Sequence, residues 1–256
     1  MTAESQPFLA VRGVSRDFGG VRAVDDASIE AQRGRVTGLI GPNGAGKSTL
    51  IGIIGGQIKA ETGSIMFEGA EVIGEAPHRI ARRGLIRTFQ LSAEFSHLTV
   101  LENLLVAPPH QKGESLLGAE LGRPYWGPSE EVLVNEARDV LDRFGMESKE
   151  TELAGNLSGG QKRMLEIMRA LMSRPKMLLL DEPFAGVNPT LARSIEQHLL
   201  ALRDEGLSMI MVEHELGVVE RLCDPVLVMA RGKVIAEGSM RDVRSRQEVL
   251  DAYLVG

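Results

Sequence analysis

The sequence predicts an α/β protein carrying an inserted helical block, on three observations. Val36–Ile40 is a short apolar strand that runs directly into a glycine-rich turn, Gly41–Gly46. A helical pattern starts at Lys47, with Leu50, Ile51 and Ile54 on one face. Met177–Leu180 and Ser208–Val212 are apolar runs of the kind found in strands buried on both faces of a parallel sheet, and helical patterns flank them. Between these two α/β stretches, residues 91–156 read as helix and irregular chain.

In chain order, Leu9, Val11 and Val14 lead to Phe18, and Gly19-Gly20 makes a turn before Val21, Ala23 and Val24, so two strands are expected. Strand signals return at Ser64–Phe67. Thr99 and Glu102 have capping-box spacing ahead of Leu101, Leu104 and Leu105, and Pro108-Pro109 ends that helix. His110–Pro128, rich in Gly and Pro, reads as an irregular insertion. A helix restarts near Ser129 with Leu133, Ala137, Val140 and Phe144 inward. Met164, Ile167, Met168 and Leu171 form a further helix face, and Asn188 then Pro189 opens another through Leu191, Ile195, Leu199 and Leu202. Val226–Ala230 and Lys233–Ala236 flank Arg231-Gly232 as a hairpin.

The 256 residues are 43% hydrophobic and 25% charged, a globular composition that argues against a disordered chain. Lys plus Arg number 29 against 35 Asp plus Glu, a net charge of −6, which speaks against a broad nucleic-acid surface. The single cysteine, Cys223, rules out an internal disulfide and fits a reducing compartment. No apolar run reaches the roughly 18 residues of a membrane span. Met1–Pro7 carries Glu4 and no basic stretch, so it does not read as a secretory signal. Any membrane work is expected to be done by docking onto another protein.

Gly41-Pro42-Asn43-Gly44-Ala45-Gly46-Lys47-Ser48 matches the phosphate-binding P-loop between a strand and a helix. Glycines let several backbone N–H groups turn toward one point, and the following helix adds the positive end of its dipole there. Lys47 is the residue to reach β and γ phosphates, Ser48 to ligate Mg²⁺, and Thr49 to reach another phosphate oxygen. This motif alone leaves kinases, GTPases, recombinases and transport ATPases open.

Leu157-Ser158-Gly159-Gly160-Gln161 narrows the choice. Ser158 and Gln161 have capping-box spacing, and two adjacent glycines suit a helix start that approaches a phosphate closely. With this element the chain resembles the ATP-binding-cassette (ABC) ATPases along nearly its whole length. The pentapeptide is similar to that family's signature, and Met177–Glu182 to its Walker B strand with the following glutamate. Gln90 in Arg87-Thr88-Phe89-Gln90 resembles the Q-loop residue, His214 after Glu213 the switch histidine, and Phe18 the aromatic against adenine. The resemblance implies a P-loop ATPase core with an antiparallel β part and an inserted helical subdomain. The expected division is 1–90 and 157–256 for the core, 91–156 for the helical subdomain, and a helical tail at 239–256.

The roles implied follow the motifs. Asp181 would hold Mg²⁺ with Ser48 and Gln90, since hard cations prefer oxygen ligands. Glu182 would be the general base for the water attacking the γ-phosphate, with Lys47, His214 and Gln90 completing the catalytic set. Phe18, residues 41–49 and Ser158, Gly159, Gly160 and Gln161 would bind ATP, the signature doing so from a second subunit. Ala185-Gly186-Val187-Asn188 occupies the family's D-loop with asparagine where aspartate is more common, which keeps helix capping and loses a charge.

Gly84–Gln90, Leu98–Leu104, the insertion before Ser129 and the tail Ala252-Tyr253-Leu254 narrow the resemblance to the ATPases of branched-chain amino acid importers. That group also serves urea and short-amide uptake. Lipid or lipopolysaccharide export and a soluble role in translation or repair are the other readings within the family. The implied partners are membrane permease subunits, a second ABC ATPase subunit in a homodimer or heterodimer, and indirectly a solute-binding protein. No nucleic acid is expected. The implied place is the cytoplasmic face of the inner membrane. Phe89, Leu91, Phe95, Leu98 and Val100 are the candidates to line the groove that receives a permease helix.

Overall fold

The computed structural model describes residues 6–88, 94–109 and 123–254, with 123–128 as backbone only. It divides into two compact units. One comprises Met1–Arg87, Lys176–Pro183 and Leu199–Gly256; the other comprises Thr88–Pro175 and Phe184–His198.

The first unit holds two sheets. Strands β1 (Leu9–Phe18) and β2 (Val21–Ala31) pair antiparallel around the Gly19-Gly20 turn, where both glycines have positive φ. Strands β4 (Thr62–Phe67) and β5 (Ala70–Glu71) extend this antiparallel sheet in the order β2-β1-β4-β5. The second sheet runs β10-β9-β3-β8-β7-β6, with β3 (Val36–Ile40), β6 (Leu85–Arg87), β7 (Met177–Asp181), β8 (Ser208–Val212) and β9 (Val226–Ala230) parallel. Strand β10 (Lys233–Gly238) returns antiparallel beside β9, as the Arg231-Gly232 hairpin predicts.

All residues of β3, β7 and β8 are buried, which is why their sequences are apolar without alternation. Helix α1 (Lys47–Ile54) lays Leu50, Ile51 and Ile54 into the core with Leu39, Leu179, Ile210 and Leu227. Val11, Ile65 and Phe67 of the antiparallel sheet join the same core, so one apolar cluster ties both sheets together. In a parallel sheet the carboxyl ends of the strands lie at one edge, and ligand-binding loops gather there. Here the residues after β3, β7 and β8 are Gly41, Glu182 and Glu213.

The remaining helices of this unit are α2 (Pro77–Arg82), α7 (Leu216–Leu222), α8 (Met240–Arg244) and α9 (Gln247–Leu254). Ser239 and Asp242 close a capping box on α8.

The second unit is helical: α3 (Val100–Leu105), α4 (Arg123–Arg143), α5 (Gly159–Met172) and the start of α6 (Pro189–Asp204). Thr99 and Glu102 form the capping box that the sequence predicts, through Thr99 N to Glu102 Oε2 at 2.7 Å and Glu102 N to Thr99 Oγ1 at 3.2 Å. The unit extends past residue 156 because α5 packs on α3 and α4, with Leu165 and Met168 buried.

Two expectations need correction. Helix α4 starts at Arg123 and not near Ser129, so Arg123–Pro128 is helix rather than irregular chain. Pro124 falls in the first turn, where its missing N–H costs nothing. Pro128 forfeits one rung, and the helix continues through it. The rest of the expected insertion, 110–122, lies outside the described residues. Val100, the first residue of α3, is also fully buried, so it belongs to the core of this unit and cannot line a groove.

Asn103 is completely buried and holds the chain before α3. Its Oδ1 accepts from Phe95 N at 2.9 Å, and its Nδ2 donates to the carbonyls of Phe95 at 3.1 Å and Thr99 at 2.9 Å. Asn103→Leu would fill the space and orphan these groups. The expected loss is about 2–3 kcal/mol, read by urea unfolding, with the loss centred on this unit in hydrogen exchange.

Candidate nucleotide-binding and hydrolysis site

The loop after β3 is forced by its neighbours. Gly41 has φ 150°, and a Cβ there would stand 2.1 Å from the Met229 carbonyl oxygen. Gly46 has φ 101°, and a Cβ there would stand 2.2 Å from the Ala23 carbonyl oxygen. Gly46 is also the N-cap of α1 and makes no side-chain cap bond. The first N–H groups of α1 therefore lack intrahelical partners, as at every helix start, and no acidic side chain occupies the first turn. The Gly232 N–H donates to the Ala45 carbonyl at 2.9 Å, pinning the loop to the β9–β10 turn. Glycine-permitted backbone and a bare helix N-terminus are a donor set that fits a triphosphate.

Lys47 is only 6% exposed, and its Nζ donates to the Gly41 and Pro42 carbonyls at 2.8 and 2.9 Å. Burial holds its ammonium below the ordinary lysine range, while the charges of Glu182 and Asp181 pull it back up.

Asp181 ends β7 with no solvent exposure. Its Oδ1 accepts from Ser48 Oγ at 3.4 Å, and its Oδ2 accepts from Arg87 Nη2 at 2.9 Å. Ser48 and Asp181 thus bring two hard oxygen donors together beside the loop, which fits a divalent cation. Among the described residues there is no cluster of three or more His, Cys, Asp or Glu side chains able to hold a metal. A cation here would complete its shell with phosphate and water oxygens.

Glu182 follows in the left-handed region, φ 51°. That conformation is uncommon for a non-glycine residue and concentrates at functional sites. Its N–H donates to the Val212 carbonyl at 3.0 Å, and its Oε1 lies 2.9 Å from His214 Nε2. Strands β7 and β8 are paired neighbours, and this pairing brings Glu182 and His214 together across 32 residues.

Phe18 is 44% exposed at the end of β1, so it is no core aromatic. The Arg16 guanidinium lies 4.8 Å from its ring centroid. Gln90, Phe89 and Leu91 lie outside the described residues. Phe95 is exposed, with the Arg169 guanidinium 5.0 Å from its ring, and Leu98 is half-buried.

In the helical unit, Ser158 N donates to Gln161 Oε1 at 2.9 Å and Gln161 N to Ser158 Oγ at 3.4 Å, so the signature is a capping box at the start of α5. Its two glycines differ. A Cβ at Gly160 would stand 2.3 Å from Leu191 Cδ2 and displace the end of that side chain, whereas a Cβ at Gly159 meets nothing among the described residues within 4 Å. Asn188 Oδ1 accepts from Leu191 N at 3.0 Å, capping α6.

Two residues gained no role from sequence reasoning. Arg87 stood in a quoted motif, and only the pairing of β6 with β7 reveals its tie to Asp181. Tyr253 stood in the quoted tail. Burial pushes its phenol up, and the Gly41 N–H, donating to its oxygen, pulls it back. Helix α9 and the phosphate loop line one cavity of about 490 Å³, with Pro42–Ala45, Arg231, Lys233 and Asp251 in its wall.

Comparison with known proteins agrees with this geometry. The family model for ABC transporters matches residues 24–185. "Probable branched-chain amino acid transport ATP-binding protein LivG" of Archaeoglobus fulgidus is 39% identical over 247 residues, covering 96% of this chain and 95% of the relative. "High-affinity branched-chain amino acid transport ATP-binding protein LivG" of Escherichia coli K12 is 34% identical, covering 98% of each chain. A crystal structure of a nucleotide-free ATP-binding cassette from an ABC transporter superposes with a TM-score of 0.85 at 38% identity, covering 97% of this chain and 99% of that one. A crystal structure of the ADP conformation of MJ1267, an ATP-binding cassette of an ABC transporter, superposes with a TM-score of 0.83 at 37% identity, covering 98% of this chain and 100% of that one. On a family model spanning residues 24–185 and on relatives matched along nearly their whole length, the chain belongs to the ABC transporter family as an ATP-binding cassette.

Proposed function

We propose that this ATPase energises an importer of branched-chain amino acids. The observation that carries this reading is similarity along essentially the whole chain to proteins bearing that name, from an archaeon and from bacteria. Its partners are integral-membrane permease subunits, a second ABC ATPase subunit and, through the permease, a solute-binding protein. No helix among the described residues is long and apolar enough to cross a membrane. In this reading the subunit sits at the cytoplasmic face of the inner membrane, held there by its permease.

The residues divide the work. Gly41–Thr49 cradle the phosphates, and Lys47 exchanges the Gly41 and Pro42 carbonyls for β and γ oxygens. Ser48, Asp181 and Gln90 would hold Mg²⁺, which neutralises charge on the phosphates when bound. Glu182 accepts the proton of the attacking water, and His214 holds Glu182 in place and reaches toward the γ-phosphate. Phe18 offers its exposed face to adenine. Ser158, Gly159, Gly160 and Gln161 of one subunit close over the nucleotide held by the other. The open position beside Gly159 favours that approach, since nothing among the described residues comes within 4 Å of a Cβ there.

The test is uptake in the source organism. Deleting the gene is expected to abolish transport of labelled leucine, isoleucine and valine, and a permease with a binding protein should co-purify from detergent-solubilised membrane. Loss of urea uptake with amino acid uptake intact would reassign the solute. Ribosomes in place of a permease would overturn the transport reading.

A further inference from the structure

We propose that Arg87 is a positioning residue for the metal site: its guanidinium holds one oxygen of Asp181 so that the other faces Ser48. The inference rests on the reading of Asp181 and Ser48 as metal-side residues.

Asp181 is fully buried, and a buried carboxylate needs a fixed counter-charge. Two cations are near it. Lys47 is committed to the Gly41 and Pro42 carbonyls and must leave them for phosphate, so its charge is not reserved for Asp181. Arg87 is reserved. Its side chain is 14% exposed, its Nη2 donates to Asp181 Oδ2 at 2.9 Å, and its Nη1 donates to Gln57 Oε1 at 3.3 Å. Arg87 and Asp181 close adjacent parallel strands, β6 and β7, so the sheet itself sets their separation.

The division of the carboxylate has a consequence. With Oδ2 taken by the guanidinium, Oδ1 is left toward Ser48 Oγ, 3.4 Å away. A carboxylate that could rotate freely would present the metal side only part of the time. Groups that orient a ligand in this way usually change metal affinity by about 10- to 100-fold when removed.

The experiment is a titration of the full chain with Mn²⁺ in the presence of ADP, read by electron paramagnetic resonance, with ADP binding measured by calorimetry with and without Mg²⁺. Arg87→Met is expected to weaken Mn²⁺ binding about tenfold and to leave metal-free ADP binding within about twofold. Arg87→Lys should recover part of the loss, since it restores charge without the fork. Gln57 is exposed, and Gln57→Ala should weaken Mn²⁺ about two- to threefold with an unchanged melting temperature, so a variant that surely folds also bears on the question. Unchanged or tighter Mn²⁺ binding in folded Arg87→Met, or in both Arg87→Lys and Gln57→Ala should Arg87→Met fail to fold, overturns the proposal. Should the unmodified protein bind ADP with no dependence on metal, the metal-site reading itself fails, which is a separate result.

Discussion

Glu182→Gln is expected to lower ATP turnover by about three orders of magnitude and to leave ATP affinity within about threefold, because a positioned general base contributes roughly 10²- to 10⁴-fold. The substitution is isosteric. Glutamine keeps the hydrogen bond to His214 Nε2, now 2.9 Å from Oε1, and sits in the same left-handed backbone. Both residues carry the same strain, so folding should change little. What is lost is a group able to take a proton from water. Steady-state phosphate release measures the turnover, and calorimetry with ATP measures the affinity. If turnover stays within tenfold of the unmodified protein, Glu182 is not the base. Because hydrolysis would no longer remove the γ-phosphate, the variant should also accumulate an ATP-bound pair of subunits in size exclusion, provided its matching partner is present.

The nucleotide-binding parts are legible in the sequence where local chemistry dictates structure. Strands β3, β7 and β8 declare themselves because both faces are buried, so apolar residues run without alternation, broken only by the buried Thr37, Asp181 and Ser208. The turns at Gly19-Gly20 and Arg231-Gly232 need left-handed backbone, and residues of that kind mark them. The caps at Thr99 and Ser158 are visible because a side chain and a backbone N–H three residues on are joined by covalent spacing.

What was not legible is set by packing between distant segments. The three residues of β6 make too short a strand to announce itself, and its tie to β7 is a matter of sheet order. Arg87 meets Asp181 across 94 positions, and no periodicity predicts that. Pro128 signals a break, yet one missing rung is too small a cost to end a long helix. Gly160 invites a reading by phosphate contact, while its near neighbour in the structure is Leu191. Val100 belongs to a motif next to the expected groove, but it is the first residue of a helix and points into the core.

The same distinction between covalent spacing and packing governs the glycines of the phosphate loop, and it yields the other large effect. Gly46→Ala is expected to be far more damaging than Gly44→Ala, although both glycines have positive φ, 101° and 75°. A Cβ at Gly44 meets nothing within 4 Å, so alanine there carries only the left-handed penalty, about 1–2 kcal/mol. A Cβ at Gly46 would stand 2.2 Å from the backbone oxygen of Ala23 in β2, and backbone cannot retreat as the end of a flexible side chain would. Overpacking adds roughly 1–3 kcal/mol to the backbone strain. Either the loop moves, and the cradle is lost, or the sheet moves, and stability is lost. Since about 1.4 kcal/mol is tenfold in binding, Gly46→Ala should weaken ADP by at least 30-fold or lower the unfolding free energy by about 3 kcal/mol. Gly44→Ala should do about half as much in free energy by either measure. Calorimetry and urea unfolding on the two variants separate these outcomes, and equal damage from both would mean that the loop is governed by conformational freedom alone and not by its contact with β2.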